Sequence, residues 1–458
     1  MDSKEKKEKS TNSLMLETSI TSLVIKMAVP TIFSMLVLSV YGMADMFFVS
    51  RLGTSASAAV GIVFSILTMI QAVGSMLGIG AGSIISRSLG SGEDSKADAV
   101  ASVAFFSSVA GGIFVMVLGI IFKTELMKFL GATSTILPYA EDFAHYILIA
   151  APIMCSSFVL NIMLRSQGKP KLSMVALTAG GIINIILDPI FIFGLKMGIA
   201  GAAVATLTSQ SISFLILLFV YLKGKNLAKI RFALLFPNLS KILPAVCANG
   251  GPSLLRQGLV VIANVLLNIH ASKFGDEAVA AISITNRVFM VVISVMFGLG
   301  QGFQPVAGYC YGAKRFDRVK KAFLFTLFLS IVVQSALGML LYMFDSHVVQ
   351  LFQKDSEVVR IGSEAIRFFA FSLPLLPVAV MTNMLFQATG QNKQSLFLAS
   401  CRQGLFFLPL IFTLPRFLGL AGLELCQPIA NALSALASIP FLVWFFSKMK
   451  SKTQRDGA

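Results

Sequence analysis

Residues 27–62 read MAVPTIFSMLVLSVYGMADMFFVSRLGTSASAAVGI, and residues 249–284 read NGGPSLLRQGLVVIANVLLNIHASKFGDEAVAAISI. The stretches lie 222 positions apart and share their punctuation, Pro30 answering to Pro252 and Gly53 to Gly275. Downstream the same offset pairs Gly78 with Gly300, Gly80 with Gly302, Gly90 with Gly312, Pro152 with Pro374, Asn161 with Asn383, Gly168 with Gly390 and Lys171 with Lys393. Glycine and proline dominate these matches, and they are the residues that set backbone geometry. A strongly apolar chain that repeats in this way points to two halves built around one pathway, the architecture of secondary transporters.

Composition places both halves in lipid. The chain has 458 residues, 56% of them hydrophobic and 13% charged, with a mean hydropathy of +0.83. That is more apolar surface than one water-soluble core can hide. Crossing the hydrocarbon takes about 20 apolar residues. Twelve stretches qualify: 23–48, 57–85, 98–122, 141–164, 172–194 and 199–222 in the first half, then 244–271, 278–306, 320–344, 361–387, 395–415 and 421–446 in the second. They are too long, and too apolar on all sides, for the alternating strands of a barrel. The expected fold is an all-α integral membrane protein with twelve transmembrane helices in two six-helix lobes related by internal duplication. Residues 1–222 form the N-lobe, 223–243 a basic linker, 244–446 the C-lobe and 447–458 a tail.

A net charge of +16 would suggest nucleic acid in a soluble protein, but here the charges sort by side. With the N-terminus inside, 25 of the 37 Lys and Arg fall on inner segments, 9 on outer segments and 3 within helices. The positive-inside rule therefore puts both termini in the cytoplasm of a plasma (inner) membrane protein, and no basic domain is left over to bind nucleic acid. The polar residues before Leu14 lead into an apolar stretch too long for a signal peptide, so it is expected to remain as the first helix. The five cysteines and three histidines are scattered without metal-ligand or redox spacing. No G-x-x-x-x-G-K-[ST] occurs, which argues against ATP hydrolysis. Neither catalysis nor a cofactor is expected; uphill transport would draw on an ion gradient.

Carboxylates inside a span cost roughly 2.5–3.5 kcal/mol at the helix centre on insertion scales, so each needs a reason. Asp45 in the first helix and Asp188 in the fifth are the two read as lying well inside spans. Asp45 lies six residues before Arg51 and Asp188 eight before Lys196, which puts both roughly 9–12 Å below the outer loops. Thr206 in the returning sixth helix reaches a similar depth, and Asn184 stands one turn before Asp188 on the same face. Pro189 lacks an N–H and so leaves the Ile185 carbonyl as a further oxygen near the group. These residues suit a small cation or a shared proton; the bland alternative is ordinary interhelical hydrogen bonding.

Three segments carry a family resemblance: residues 27–62 above, NIILDPIFIFGLKMGIAGAAVAT at 184–206, and GQGFQPVAGYCYGAKRFDRVKKA at 300–322. They resemble the multidrug and toxic compound extrusion (MATE) family of cation-coupled efflux transporters, in order along nearly the whole chain. The resemblance implies a V-shaped pair of lobes, a central drug cavity and exchange of an organic compound for H⁺ or Na⁺. Within the family the chain is most similar to the prokaryotic branch named after DinF. By motif match that branch's coupling site falls on Asp45, Asn184, Asp188 and Thr206. The NorM branch keeps acids in the seventh and tenth helices, whereas here the seventh has none and the tenth only Glu364 near its outer end. The positions paired with Asp45 and Asp188 are Leu267 and Leu410, so coupling is expected in the N-lobe alone. H⁺ is favoured over Na⁺ because two carboxylates in lipid readily share a proton.

Gln71, Asn161, Gln210, Asn264, Gln301 and Asn383 either line an aqueous cavity or join helices. Arg256, Arg287 and Arg402 must pair or snorkel. Pro30 frees the Lys26 carbonyl and makes the first helix easy to bend, a candidate hinge. The expected function is antiport of small amphipathic, often cationic compounds by a chain that works as a monomer in membrane lipid. The runner-up is a flippase for a lipid-linked oligosaccharide, which should carry an internal cationic cluster in its N-half; those helices lack one.

Overall fold

In the computed structural model the structure describes residues 13–223 and 226–456, and they are almost entirely helical. Lys4, Lys6, Lys7 and Lys9 of the basic N-terminus, Lys225 of the linker and the end of the tail at Ala458 lie outside the described residues.

The first half contributes α1 (Ile20–Ser50), α2 (Thr54–Gly90), α3 (Asp94–Ile121), α4 (Leu137–Ser166), α5 (Pro170–Pro189) and α6 (Gly198–Lys223). The second contributes α7 (Leu235–Ala271), α8 (Asp276–Gly312), α9 (Phe316–Met343) and α10, a pair Ser356–Ser372 and Leu376–Thr389 bent by 55°. Residues Asn392–Ser451 form one 60-residue run, about 90 Å of helix against a hydrocarbon core of about 30 Å. Gly419 breaks it, with φ 60° and ψ −135°. The chain turns back there, giving α11 (residues 392–418) and α12 (residues 420–456). Among the described residues ten helices are long and apolar enough to cross a membrane, and the bent pair makes an eleventh; the break at Gly419 accounts for the twelfth stretch expected from sequence. α7 begins at Leu235, so residues 235–243, read above as linker, continue the seventh helix. Large apolar side chains such as Phe114, Leu215, Phe328 and Met339 point outward, as lipid-facing surfaces require.

The duplication is visible in backbone conformation. Gly53 and Gly275 open α2 and α8 with φ of 117° and 105°, and Gly168 and Gly390 close α4 and α10 with φ of 78° and 76°. After each closing glycine an amide spans the turn: Asn161 Nδ2 donates to the Ser173 carbonyl at 3.2 Å, and Asn383 Nδ2 to the Ser395 carbonyl at 2.6 Å.

Glycines also set how the halves meet. A Cβ on Gly90 would strike the Tyr309 carbonyl and one on Gly312 the Arg87 carbonyl, two contacts that exchange under the 222-residue offset. Higher up, Gly80 abuts Val246 and Gly250 while Gly302 abuts Met27 and Ala28. Small residues here let helix backbones touch without intervening side chains. These contacts lie on the side of the bundle where α1 begins and α12 ends. One apolar cluster there mixes the halves, with Leu77, Ile85 and Met163 packed in the same core as Phe303, Tyr309 and Phe386. Toward the opposite face each cluster belongs to one half: Val63, Phe143 and Ile192 in the first, Ala263, Phe407 and Leu423 in the second. The lobes are therefore sealed at the termini side and part toward the other. There the α1–α8 edge still touches, where Arg287 Nη2 meets Met46 Sδ at 3.3 Å.

Candidate functional site

Three helices of the first half meet through small residues. A Cβ on Gly181 of α5 would lie 2.9 Å from Val37 Cγ1 and 3.8 Å from Tyr41 Cβ of α1, and one on Gly180 would lie 2.9 Å from Ser213 Cβ of α6. This close approach brings together two polar residues from each helix, spaced one turn apart: Tyr41 and Asp45, Asn184 and Asp188, Thr206 and Gln210. Asn184, Asp188 and Thr206 are 1%, 0% and 2% exposed, and Asp45 is half-buried.

Asn184 Nδ2 donates to Asp188 Oδ1 at 3.3 Å and to Thr206 Oγ1 at 3.4 Å. Asp45 Oδ1, Asn184 Oδ1 and Asp188 Oδ2 are buried without a hydrogen-bond partner. All three are acceptors, so what they lack is a positive charge or a proton. Asp45 and Asp188 lie within electrostatic reach of each other, Tyr41 lies within reach of both, and Gln210 stands beside Tyr41. Two carboxylates this close and this buried repel each other when both are ionised. Pro189 ends α5, and residues Ile190–Gly194 continue as a π turn in which Leu195 N–H reaches the Ile190 carbonyl at 2.8 Å. π turns occur often at functional sites. Among the described residues no group of three or more His, Cys, Asp or Glu could hold a metal ion.

The other sequence candidates separate. Asn161 and Asn383, buried at 4% and 5%, make the two joints described above and are helix connectors rather than cavity lining. Gln210 joins the group around Asp45. Gln301 accepts from Arg165 Nη1 and, with Ser83, Ser86 and Gln304, lines a cavity of about 20 Å³ at the lobe seal, room for roughly one water. Gln71 and Asn264 are half-buried, with no hydrogen bond among the described residues. Pro30 is buried in α1, where Gly298 and Gly302 of α8 bracket it by touching Ile32 and Ala28.

Sequence reasoning passed over three features. Tyr41 sits in an apolar stretch, and its place one turn before Asp45 was a usable signal. Arg87 fastens the seal, donating through Nη1 to Ser83 Oγ at 2.6 Å and the Ala388 carbonyl at 2.9 Å, and through Nη2 to Asn249 Oδ1 at 3.3 Å. Glu424 corrects the expectation of two intramembrane acids: it is 8% exposed within α12, and neither carboxylate oxygen has a partner. Its place close after the break at Gly419 made it look like a span end.

Comparison with known proteins agrees with this arrangement. The MatE family matches residues 30–190 and again 252–413, the two matches starting 222 residues apart. The multidrug export protein MepA of Staphylococcus aureus strain MSSA476 is 27% identical over 415 residues, covering 90% of this chain and 91% of its own. MepA of Staphylococcus haemolyticus is 28% identical over 431 residues, covering 93% and 94%. Among solved structures, a MATE in complex with MaL6 superimposes with a TM-score of 0.91 at 27% identity, over 96% of this chain and 99% of that one. An outward-facing multidrug resistance MATE transporter of the MOP superfamily also gives 0.91 at 27% identity, over 95% and 98%. With both halves matched at the spacing of the internal repeat and the whole bundle superimposed, the chain belongs to the MATE family of multi-pass membrane transporters.

Proposed function

We propose that this chain exports small amphipathic, often cationic organic compounds across the plasma membrane in exchange for H⁺ or Na⁺. The observation that carries the reading is the set of unpartnered buried oxygens on Asp45, Asn184 and Asp188, held with Thr206 by three helices of one lobe. Such oxygens are costly unless a proton or cation joins them, and a group that must be loaded is what a coupled exchanger uses. Tyr41 and Gln210 complete the ring. H⁺ is the favoured ion, because one proton shared by Asp45 and Asp188 removes the repulsion without demanding a full coordination shell. The N-lobe position of these residues supports a place in the DinF-like branch. Both termini are cytoplasmic in this reading, so the lobes part toward the outside. The export named for the MepA relatives fits the same direction.

Loading Asp45 and Asp188 changes how α1 packs against α5 and α6, and Pro30 provides a bend at the opposite end of α1. Substrate leaves as the ion-loaded packing narrows its site, so ion and drug compete. The test is to titrate a bound fluorescent cation, ethidium, with acid and separately with Na⁺, in the wild type and in Asp188→Asn. Release from the wild type that is lost in the variant is the expected result. Equal release from both, or displacement by neither ion, refutes the mechanism.

A further inference from the structure

The C-lobe buries positive charge without an answering acid. Arg402 of α11 is 9% exposed, and its Nη1 has no hydrogen-bond partner. The charge acting on it is a second guanidinium, Arg256 of α7, which stacks on the Phe297 ring of α8 at 5.1 Å from its centroid and makes no hydrogen bond among the described residues. Among the described residues neither guanidinium forms an ion pair with a carboxylate. Arginine does not shed its proton in proteins, so the pair cannot escape by becoming neutral. Arg256 is half-buried beside Arg402, and a buried guanidinium facing a like charge is costly unless an anion joins the two.

The backbone at this point is shaped as it is beside Asp188. Residues Cys401–Phe407 form a π segment that contains Arg402, and among the described residues the other π segment inside a span is the one that follows Asp188. Gly404 in the same turn brings α11 close to α7, where its Cβ would lie 3.1 Å from Leu259 Cδ1. The surroundings are thus a planar aromatic and aliphatic side chains around a pair of guanidiniums. This suits a carboxylate or phosphate head group on an apolar tail, bound by two charge-assisted forks.

We infer that Arg256 and Arg402 form an anion-binding subsite in the C-lobe, which takes the acidic head group of an anionic or zwitterionic amphiphile. The inference extends the export reading to a second substrate class. It is tested by binding without any gradient, so its failure leaves the ion-coupling reading untouched.

The experiment uses the full-length protein in lipid nanodiscs and two fluorescent probes of equal size, dansylaminoundecanoate and its primary amide. The wild type is expected to bind the carboxylate about tenfold or more tighter than the amide, as charge-assisted bonds imply. Arg402→Met and Arg256→Gln should each bring the two probes within about twofold of each other, and relief of the like-charge repulsion should hold the thermal midpoint at or above the wild-type value. Equal wild-type affinity for the two probes overturns the subsite, whatever the variants do. Retention of the preference in a folded Arg402→Met overturns it as well. If acetate displaces the carboxylate probe as effectively as undecanoate does, the site holds small anions and the assignment to amphiphiles is wrong.

Discussion

Replacing Gly302 with alanine should loosen the seal between the lobes by an amount the structure lets one work out. The added Cβ would sit 2.5 Å from Ala28 Cα, 2.7 Å from Ala28 N and 2.9 Å from Met27 C. All three are backbone atoms of α1, so no side chain can swing aside, and α8 must move away by about 1 Å to restore van der Waals separation. Overpacking of this kind costs roughly 1–3 kcal/mol, the upper end applying where the obstacle is backbone. α8 is helical in both arrangements, so alanine's better helix propensity cancels, leaving about 3 kcal/mol against the sealed arrangement, or roughly a 100-fold shift. The readout is electron–electron distance measurement between spin labels at Lys96 and Lys320, exposed residues near the termini end of each half, in a cysteine-free background. A longer-distance population should grow in Gly302→Ala. Gly61→Ala, whose Cβ meets nothing within 4 Å, should change nothing. A Gly302→Ala distribution identical to the wild type, with an unchanged thermal midpoint, would show that backbone contact between α1 and α8 does not hold the lobes shut.

Asp188→Asn should abolish export driven by an imposed gradient in proteoliposomes while equilibrium binding of ethidium persists, and Asp45→Asn, nearer water, should retain partial transport; normal export by Asp188→Asn would remove that carboxylate from coupling. Asn383→Ala removes a buried 2.6 Å bond to the Ser395 carbonyl and should cost about 1–3 kcal/mol of stability, seen as a lower thermal midpoint with an unaltered ion dependence of transport. Asp98 accepts from the Lys229 N–H at 2.6 Å and pairs with Arg231 at 3.8 Å, so Asp98→Ala should speed tryptic cleavage after Lys229 or Arg231 in detergent; an unchanged digestion rate would mean that the linker is held elsewhere. Reporter fusions after Ala458 and beside Lys225 should both report a cytoplasmic location, and an external signal from either would invert the membrane orientation.

How much of this was legible in the sequence depended on whether the signal was local. The repeat, the spans and the pairing of Asn184 with Asp188 follow from residue spacing along single helices, and Thr206 from its depth below the loop at Lys196, all of which sequence records directly. Asn161 and Asn383 were ambiguous because an amide's partner is set by tertiary contact. Both partners here are carbonyls twelve residues on, reachable only after Gly168 and Gly390 adopt positive φ. Tyr41 was missed because a tyrosine in an apolar helix has two explanations, and only the approach of α5 at Gly181 selects the polar one. Glu424 was hidden by its place three residues into the expected stretch 421–446, where a carboxylate reads as lying at the span end.

The reciprocal glycine contacts have a consequence for how such a chain diversifies. A contact in which each half meets the other through equivalent positions is what two identical subunits related by a twofold axis would make. It depends on main-chain shape and on the lack of side chains, so it asks nothing of the polar residues elsewhere in each half. Once two copies were fused, each pocket was free to acquire its own chemistry without disturbing the joint that both share. The first half carries Asp45 and Asp188 where the second has Leu267 and Leu410, and the second carries Arg256 and Arg402 where the first has Ser34 and Gly180. Inherited symmetry in the joint and divergence in the polar residues of each lobe are then two sides of one economy in the backbone.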